Sequence, residues 1–470
     1  SSRLNSNTNV YDIGTLTSDI IISKTGEYVT LTSDTTSDVA YFSNATASSI
    51  ASTQKDFAVD NTLYGTVQSG NTHGLSQGGF GTRCILNADG TRLLVTDPLN
   101  NPSGRGRAYI YHLESGSWTL KQTWNNPAGN NQRFADSACM NEDGTRIFLQ
   151  FCADSHVYVY EYASGAWETS NSGTHTISAG AGMGQEKCGV ACNKAGDVVI
   201  IGYGHGNKAY IYRRASATSW SQDSGGSFTK SRGVAINGAG TRAFVGHSDG
   251  TVHVTDWSGS SWSALSEIID ESYNGWPAVI ESDSAGETLV IVTGQGSGNA
   301  DDSGIYERAS DGSWSRAQGI SAYTEIYGIR SSSISYDGTM VLVGNNNYDS
   351  DKGRAYLWQK SGGSWSLTKT FDNPDASPAA DDYFGAGCGI ARTTKDKLVI
   401  GMLGDDTDGT DYGSVWTYTN AIPKYLDFDT YNKLSINGIT PTSTTLKYGS
   451  NTYDTGTATS IYIKDVGTYD

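Results

Sequence analysis

The sequence predicts an all-β fold. Two observations carry that reading: a composition suited to short strands joined by polar turns, and a sevenfold internal repeat. Of 470 residues, 57 are Gly, 28 Tyr and 11 Trp, against 8 Pro and 4 Met; 37% are apolar and 17% charged. Such a mixture is too aromatic for a disordered chain and too poor in Leu, Lys and Glu for a helical one. The repeated unit is a strand of small apolar residues, a tight turn, an apolar strand, a polar loop, a strand ending in Tyr, and then Trp. Its turn glycine recurs as Gly90, Gly144, Gly196, Gly240, Gly286 and Gly338, with Lys395 in the seventh place. Four-stranded units repeated radially about an axis make a β-propeller. The expected architecture is a seven-bladed β-propeller over 62–420, flanked by small β-sandwich-like modules at 1–61 and 421–470.

Within each unit, strands A to D follow in order. Asp-Gly and Ala-Gly between strands A and B favour a two-residue hairpin loop, because Gly accepts positive φ. Strand A is rich in Gly, Ala and Cys, as in Gly189-Val190-Ala191-Cys192 and Gly387-Cys388-Gly389. Seven inner strands crowding one axis leave room only for small side chains. Trp118, Trp167, Trp220, Trp262, Trp314 and Trp365 open strand D and are expected to fill the gaps between neighbouring blades. The seventh unit lacks such a strand, but 62–67 precedes unit one at nearly the matching offset. That N-terminal segment is expected to complete the last blade, closing the ring and hiding its free sheet edges.

Phe80-Gly81 with Asp89-Gly90 and Arg107-Ala108-Tyr109-Ile110-Tyr111, and Tyr383-Phe384-Gly385 with Asp411-Tyr412-Gly413, resemble FG-GAP repeats. Those are the units of the integrin α-subunit propeller, and the resemblance covers 62–420. It implies the propeller fold and an adhesive role. That family often carries a calcium loop between strands A and B. Here Asn87-Ala88-Asp89-Gly90 is too short to wrap an ion with six or more oxygens, so calcium is not expected there. The two ends also match each other, Tyr11-Asp12-x-Gly14-Thr15 against Tyr453-Asp454-x-Gly456-Thr457. Each end reads as part of one β module cut at a different point. Paired modules of this kind resemble the linking domains of large surface or virion-fibre proteins. The chain opens Ser1-Ser2 without Met, as expected of a segment of a longer or processed polypeptide. The expected setting is extracellular, at a cell or virion surface, beside neighbouring modules of the same or an assembling protein.

The formal charge of −17 repels phosphate backbones and anionic lipid, so no nucleic-acid partner is expected. No stretch approaches the roughly 20 apolar residues that span a bilayer, so no membrane insertion is expected. In a propeller the A–B and C–D turns share one face and the B–C and D–A loops the other. Here the second set is longer and more variable, which is where binding is expected. His205, His247, His156, Tyr203, Asp97 and Asp154 are the candidate ligand-binding residues of that face, for a glycan or a surface protein. In Asp405-Asp406-Thr407-Asp408-Gly409-Thr410-Asp411, the carboxylates of Asp405, Asp406, Asp408 and Asp411 are spaced to suit Ca²⁺, although no cofactor is required. No Gly-x-Ser-x-Gly opens a helix, no phosphate-binding glycine loop is present, and the six Cys lack metal spacing. Most of these thiols read as small buried apolar residues. The function expected is a non-catalytic adhesive or structural propeller. The alternative is a carbohydrate-active propeller enzyme, a polysaccharide lyase or hydrolase, using His205 or His247 with Asp97, Asp154 or Asp405.

Overall fold

The computed structural model describes 56–64, 79–98, 106–127, 134–151, 156–169, 175–178, 188–203, 208–229, 233–247, 249–270, 277–293, 303–320, 331–405 and 413–421. Outside these it describes the backbone of short strands within 3–41 and 425–462. Seven antiparallel sheets make seven blades. Blade one pairs strand A (Arg83–Leu86), B (Arg92–Asp97), C (Arg107–Glu114) and D (Ser117–Asn125) in that order. Blades three to six repeat this order. In blade two the fourth strand is broken into Ala166–Trp167 and Thr176–Ser178, both paired with strand C, His156–Ala163. Tyr348–Asp351, in the B–C loop of blade six, forms a left-handed turn, with Asp349, Ser350 and Asp351 at φ 49°, 59° and 67°.

Blade seven takes strands A to C from Phe384–Ile390, Lys397–Met402 and Ser414–Ala421, and its outer strand is Asp56–Tyr64. An N-terminal strand therefore closes the ring, starting at Asp56 rather than at the expected Thr62. Phe57 in this strand is buried at 2% exposure, and the Thr417 hydroxyl donates to the Asn61 carbonyl at 3.2 Å.

The A–B turns differ from the two-residue loops expected. In blade one the register ends at Leu86 opposite Leu93, and Asn87 N–H donates to Arg92 O at 3.1 Å. The loop is thus four residues long, 88–91. Its cause is a side chain. Asn87 Oδ1 accepts from Thr91 N at 2.9 Å and from Arg92 N at 2.8 Å, which stabilises a wider turn than the Asp-Gly rule implies. Asn141, Asn193, Asn237 and Asp283 each accept from the amide five residues on in the same way. Gly90 sits at φ 70°, where a Cβ would be strained.

These turns also join one another. Ala88 N donates to Glu142 O, Glu142 N to Lys194 O, Lys194 N to Gly238 O, Gly238 N to Ser284 O, Ser284 N to Tyr336 O, and Tyr336 N to Arg392 O. Thr393 N then donates back to Ala88 O at 2.9 Å, closing a ring of seven backbone hydrogen bonds around the axis. Nothing in the residue types announces this ring, because it is made of main chain.

The strand-D tryptophans fill the seams as expected, each against the preceding blade. Trp220 packs edge-on to Phe148, and Trp314 packs edge-on to Phe244. A buried indole N–H needs an acceptor. Trp262 Nε1 finds Asp223 at 3.0 Å, Trp365 Nε1 finds Glu307 at 2.6 Å, and Trp167 Nε1 finds His112 Nε2 at 3.0 Å.

Two histidines at these seams bind protons with opposite sign. Burial, then the Arg92 and Lys121 charges, push the His112 imidazole down from 6.5 to about 4. Its stabilising contribution is present above pH 6.5 and is lost as pH falls toward 4. For His175 burial acts downward but is outweighed. Its Nε2 lies 2.7 Å from Ala217 O and its Nδ1 3.2 Å from Glu168 Oε2, so its value is raised. That contribution is full below pH 6.5 and is lost as pH rises through the raised value. Melting temperatures measured from pH 4 to 8 are expected to fall at both ends. His112→Gln should flatten the acid limb and His175→Gln the alkaline one; a variant that leaves its own limb unchanged contradicts the assignment.

The terminal strands form a separate compact unit, Ser1–Ala58 with Asn420–Asp470. In it Ile20–Lys24 pairs in parallel with Tyr425–Phe428, so strands from both ends of the chain share one five-stranded sheet. The sandwich-like packing expected of these ends concerns side chains that lie outside the described residues.

Candidate functional site

The expected ligand-binding residues lie in several environments. Asp97 ends strand B of blade one at 1% exposure, and its Oδ1 accepts from Gly79 N at 3.1 Å. It serves the turn at Phe80-Gly81 and is not displayed. Tyr203, the last residue of strand B in blade three, is fully buried, hydrogen-bonded to Gln150 and packed on Tyr210. Burial pushes its phenol up. His156 is half-buried at the start of strand C in blade two, with its ring against Tyr158. His205, Asp154, Asp406, Asp408 and Asp411 lie outside the described residues.

Asp405 is buried at the end of a strand-B extension, where its carbonyl accepts from Gly413 N at 3.2 Å. The nearby Asp382 carboxyl is raised by burial, and the Asp375 and Asp405 charges add to the rise. Among the described residues no group of three or more His, Cys, Asp or Glu is placed to hold a metal ion. At the A–B turns the side-chain oxygens are already used by amides: Asn87 as above, and Asp89 by Thr91 N at 2.9 Å. Those oxygens do not fit a calcium shell.

His247 occupies the short B–C turn of blade four, with Nδ1 at 2.7 Å from Asp249 Oδ2. Burial acts to raise Asp249, yet the Thr251 hydroxyl, the Thr251 N–H and His247 outweigh it. The carboxyl lies well below the usual range. The contact sets an imidazole beside a carboxylate on the B–C face. The partner anticipated for His247 was Asp97, Asp154 or Asp405. The signal for Asp249 was local, in His247-Ser248-Asp249-Gly250-Thr251, where Asp-x-Thr caps the turn.

A pocket at the axis was anticipated for the enzyme alternative, with His and carboxylate converging in it; sequence reasoning named as site residues none of those that line the axial channel. It is a cavity of about 130 Å³ walled by strand A of all seven blades. Its polar lining includes Arg83, Glu281, Tyr336, Arg392 and the thiols of Cys139 and Cys192. Arg392 Nε donates to Ile334 O at 2.8 Å and Nη2 to Ser282 O at 2.6 Å, and its guanidinium lies 4.5 Å from the Tyr336 ring centre. Lys194 Nζ lies 4.2 Å from the same ring and 3.0 Å from Glu142 Oε1. Burial pushes the Tyr336 phenol up to about 12, with Arg392 opposing. Glu281 is raised by burial, opposed by Arg392 and Arg83. A signal for Glu281 exists in the repeat. It stands five residues before its turn glycine, where the other units carry Ile85, Cys139, Ala191, Ala235, Ser333 and Ile390.

No protein-family model matches the chain, and no curated protein matches it. Solved structures match in fold. A chain of the mitotic checkpoint complex is 13% identical at a TM-score of 0.50, over 77% of this chain and 94% of its own. The Cps50 (Swd1) β-propeller domain of Myceliophteria thermophila is 11% identical at 0.49, over 77% and 99%. The periplasmic gluconolactonase PpgL of Pseudomonas aeruginosa is 15% identical at 0.46, over 67% and 96%. At such identities the likeness shows the β-propeller fold alone.

Proposed function

We propose that this chain is a non-catalytic binding propeller of a modular extracellular or virion-surface protein, engaging a glycan or protein surface through its B–C and D–A loops. The observation that carries this reading is the contrast between the two faces. On the A–B face the turns repeat one capped geometry and are tied into a closed ring. On the other face blade four turns within 247–250 while blade six spends 346–353 on a left-handed turn. A fixed frame carrying dissimilar loops suits recognition by adaptable hydrogen bonding. The FG-GAP resemblance supports an adhesive role, and the terminal sheet built from both ends supports a linking one. Calcium at the acidic run starting at Asp405 belongs to the same proposal, as a means of ordering that loop.

A second reading is favoured by one observation, the His247–Asp249 pair, which is the arrangement a general base uses. Glycan-array binding with calcium or with EGTA, followed by mass spectrometry of each captured ligand, separates the two. Intact ligand retained by the wild type, and at least tenfold weaker retention in EGTA, is the expected result. Ligand cleaved by the wild type and spared by His247→Ala would establish the enzyme instead.

A further inference from the structure

Two thiols of the axial channel have no part in that function. Cys139 lies opposite Phe148 in strand A of blade two (Phe134–Met140). Cys192 ends strand A of blade three (Cys188–Cys192), opposite Val199. Phe148 and Val199 belong to one apolar layer between these blades, and both cysteines pack against it. Strand alternation therefore turns Cys139 toward blade three and Cys192 toward blade two. They meet at the channel edge of that layer, on the inner strands of adjacent blades. Both residues are partly exposed and both line the channel, which brings a small reagent in it alongside them. By contrast, Cys84 and Cys388 are buried, their thiols donating to Gly81 O and Gly385 O.

We propose that Cys139 and Cys192 are a reversible disulfide site that staples blade two to blade three at the channel wall. With a peroxide as oxidant, one sulfur attacks a peroxide oxygen, giving a sulfenic acid and one water. The second sulfur then displaces the hydroxyl, which leaves as a second water when it takes that thiol's proton. Two thiols and one hydrogen peroxide thus become one disulfide and two waters, with two electrons passing to the peroxide. A dithiol reductant reverses the bridge by exchange. Burial, then the Cys192 contact, push the Cys139 thiol up, which makes the pair a slow structural bridge and not a fast sensor.

The test uses the whole folded chain, treated with hydrogen peroxide, alkylated and digested with trypsin without reduction. The peptide 134–146 carries Cys139, and 188–194 carries both Cys188 and Cys192. Fragment spectra are expected to show Cys139 joined to Cys192 in the wild type and in Cys188→Ser. Two fewer thiols should be alkylated than in the reduced chain, and dithiothreitol should restore both. A higher melting temperature in the oxidised form, absent in Cys139→Ser, should accompany the bridge. Cys139 and Cys192 both staying alkylatable while a thiol peptide in the same tube oxidises would overturn the proposal. So would a bridge to Cys188, or Cys139 reaching the sulfinic acid uncrosslinked.

Discussion

A chain beginning at residue 66 is expected to lose its cooperative unfolding transition and to aggregate. Without Asp56–Tyr64, blade seven keeps three strands and the ring is open. Each net backbone hydrogen bond lost along Ser414–Ala421 costs about 1 kcal/mol, and losing the buried Phe57 side chain with the strand forfeits roughly 2 to 3 kcal/mol more of apolar burial. The sum approaches the roughly 5 to 15 kcal/mol that hold a domain together. The bared strand is also an open template for a second chain. Urea unfolding and size-exclusion chromatography read the effect directly. Restoration by a peptide of residues 56–64 added in trans would tie it to this strand. A truncated chain with an unchanged urea midpoint would show that the ring closes some other way.

Gly344→Ala is expected to cost at least about 3 kcal/mol, more than an inserted methyl usually does, because its Cβ has nowhere to go. Gly344 lies in strand B of blade six, and a Cβ built there falls 1.8 Å from Gly385 O and 2.7 Å from Gly385 C. Those are backbone atoms of the next blade, and no rotamer change relieves the overlap. Gly385 is itself fixed at φ 94°, with its own Cβ position 2.5 Å from Arg354 O. The control is Gly319→Ala, where nothing lies within 4 Å and φ is ordinary; it should stay within about 0.5 kcal/mol of wild type. Similar urea midpoints for the two variants would refute the close approach of blades six and seven.

Features written in local residue patterns were legible before any coordinates. The six turn glycines, the strand-D tryptophans and the small residues of strand A each answer to one steric or packing demand, and each demand repeats. Features that depend on partners distant in sequence were legible only in part. The closing strand was legible from Thr62-Leu63-Tyr64, but its start at Asp56 was not, because its pairing partner, Ser414–Ala421, lies at the far end of the chain. The turn length was misjudged because Asn87 Oδ1 takes two amides that the Asp-Gly rule leaves to the ladder. Glu281 escaped notice because an isolated Glu in a strand looks solvated. Only alignment against Ile85 and Ala191 marks it as a charge in an apolar row.

The ring of A–B turns has an electrostatic consequence. Every one of its seven amides donates to the next blade in the same rotational sense, so the peptide dipoles run head to tail around a circle. A helix adds such dipoles along its axis and ends in partial charges. A closed circuit cancels them and has no first donor or last acceptor left unsatisfied, while each bond still polarises its neighbour. The ring of turns therefore adds no net dipole along the axis. The charged side chains of the lining are Glu281 against Arg83 and Arg392. Exchanging Glu281 would remove the one acidic side chain of that lining while leaving the frame untouched.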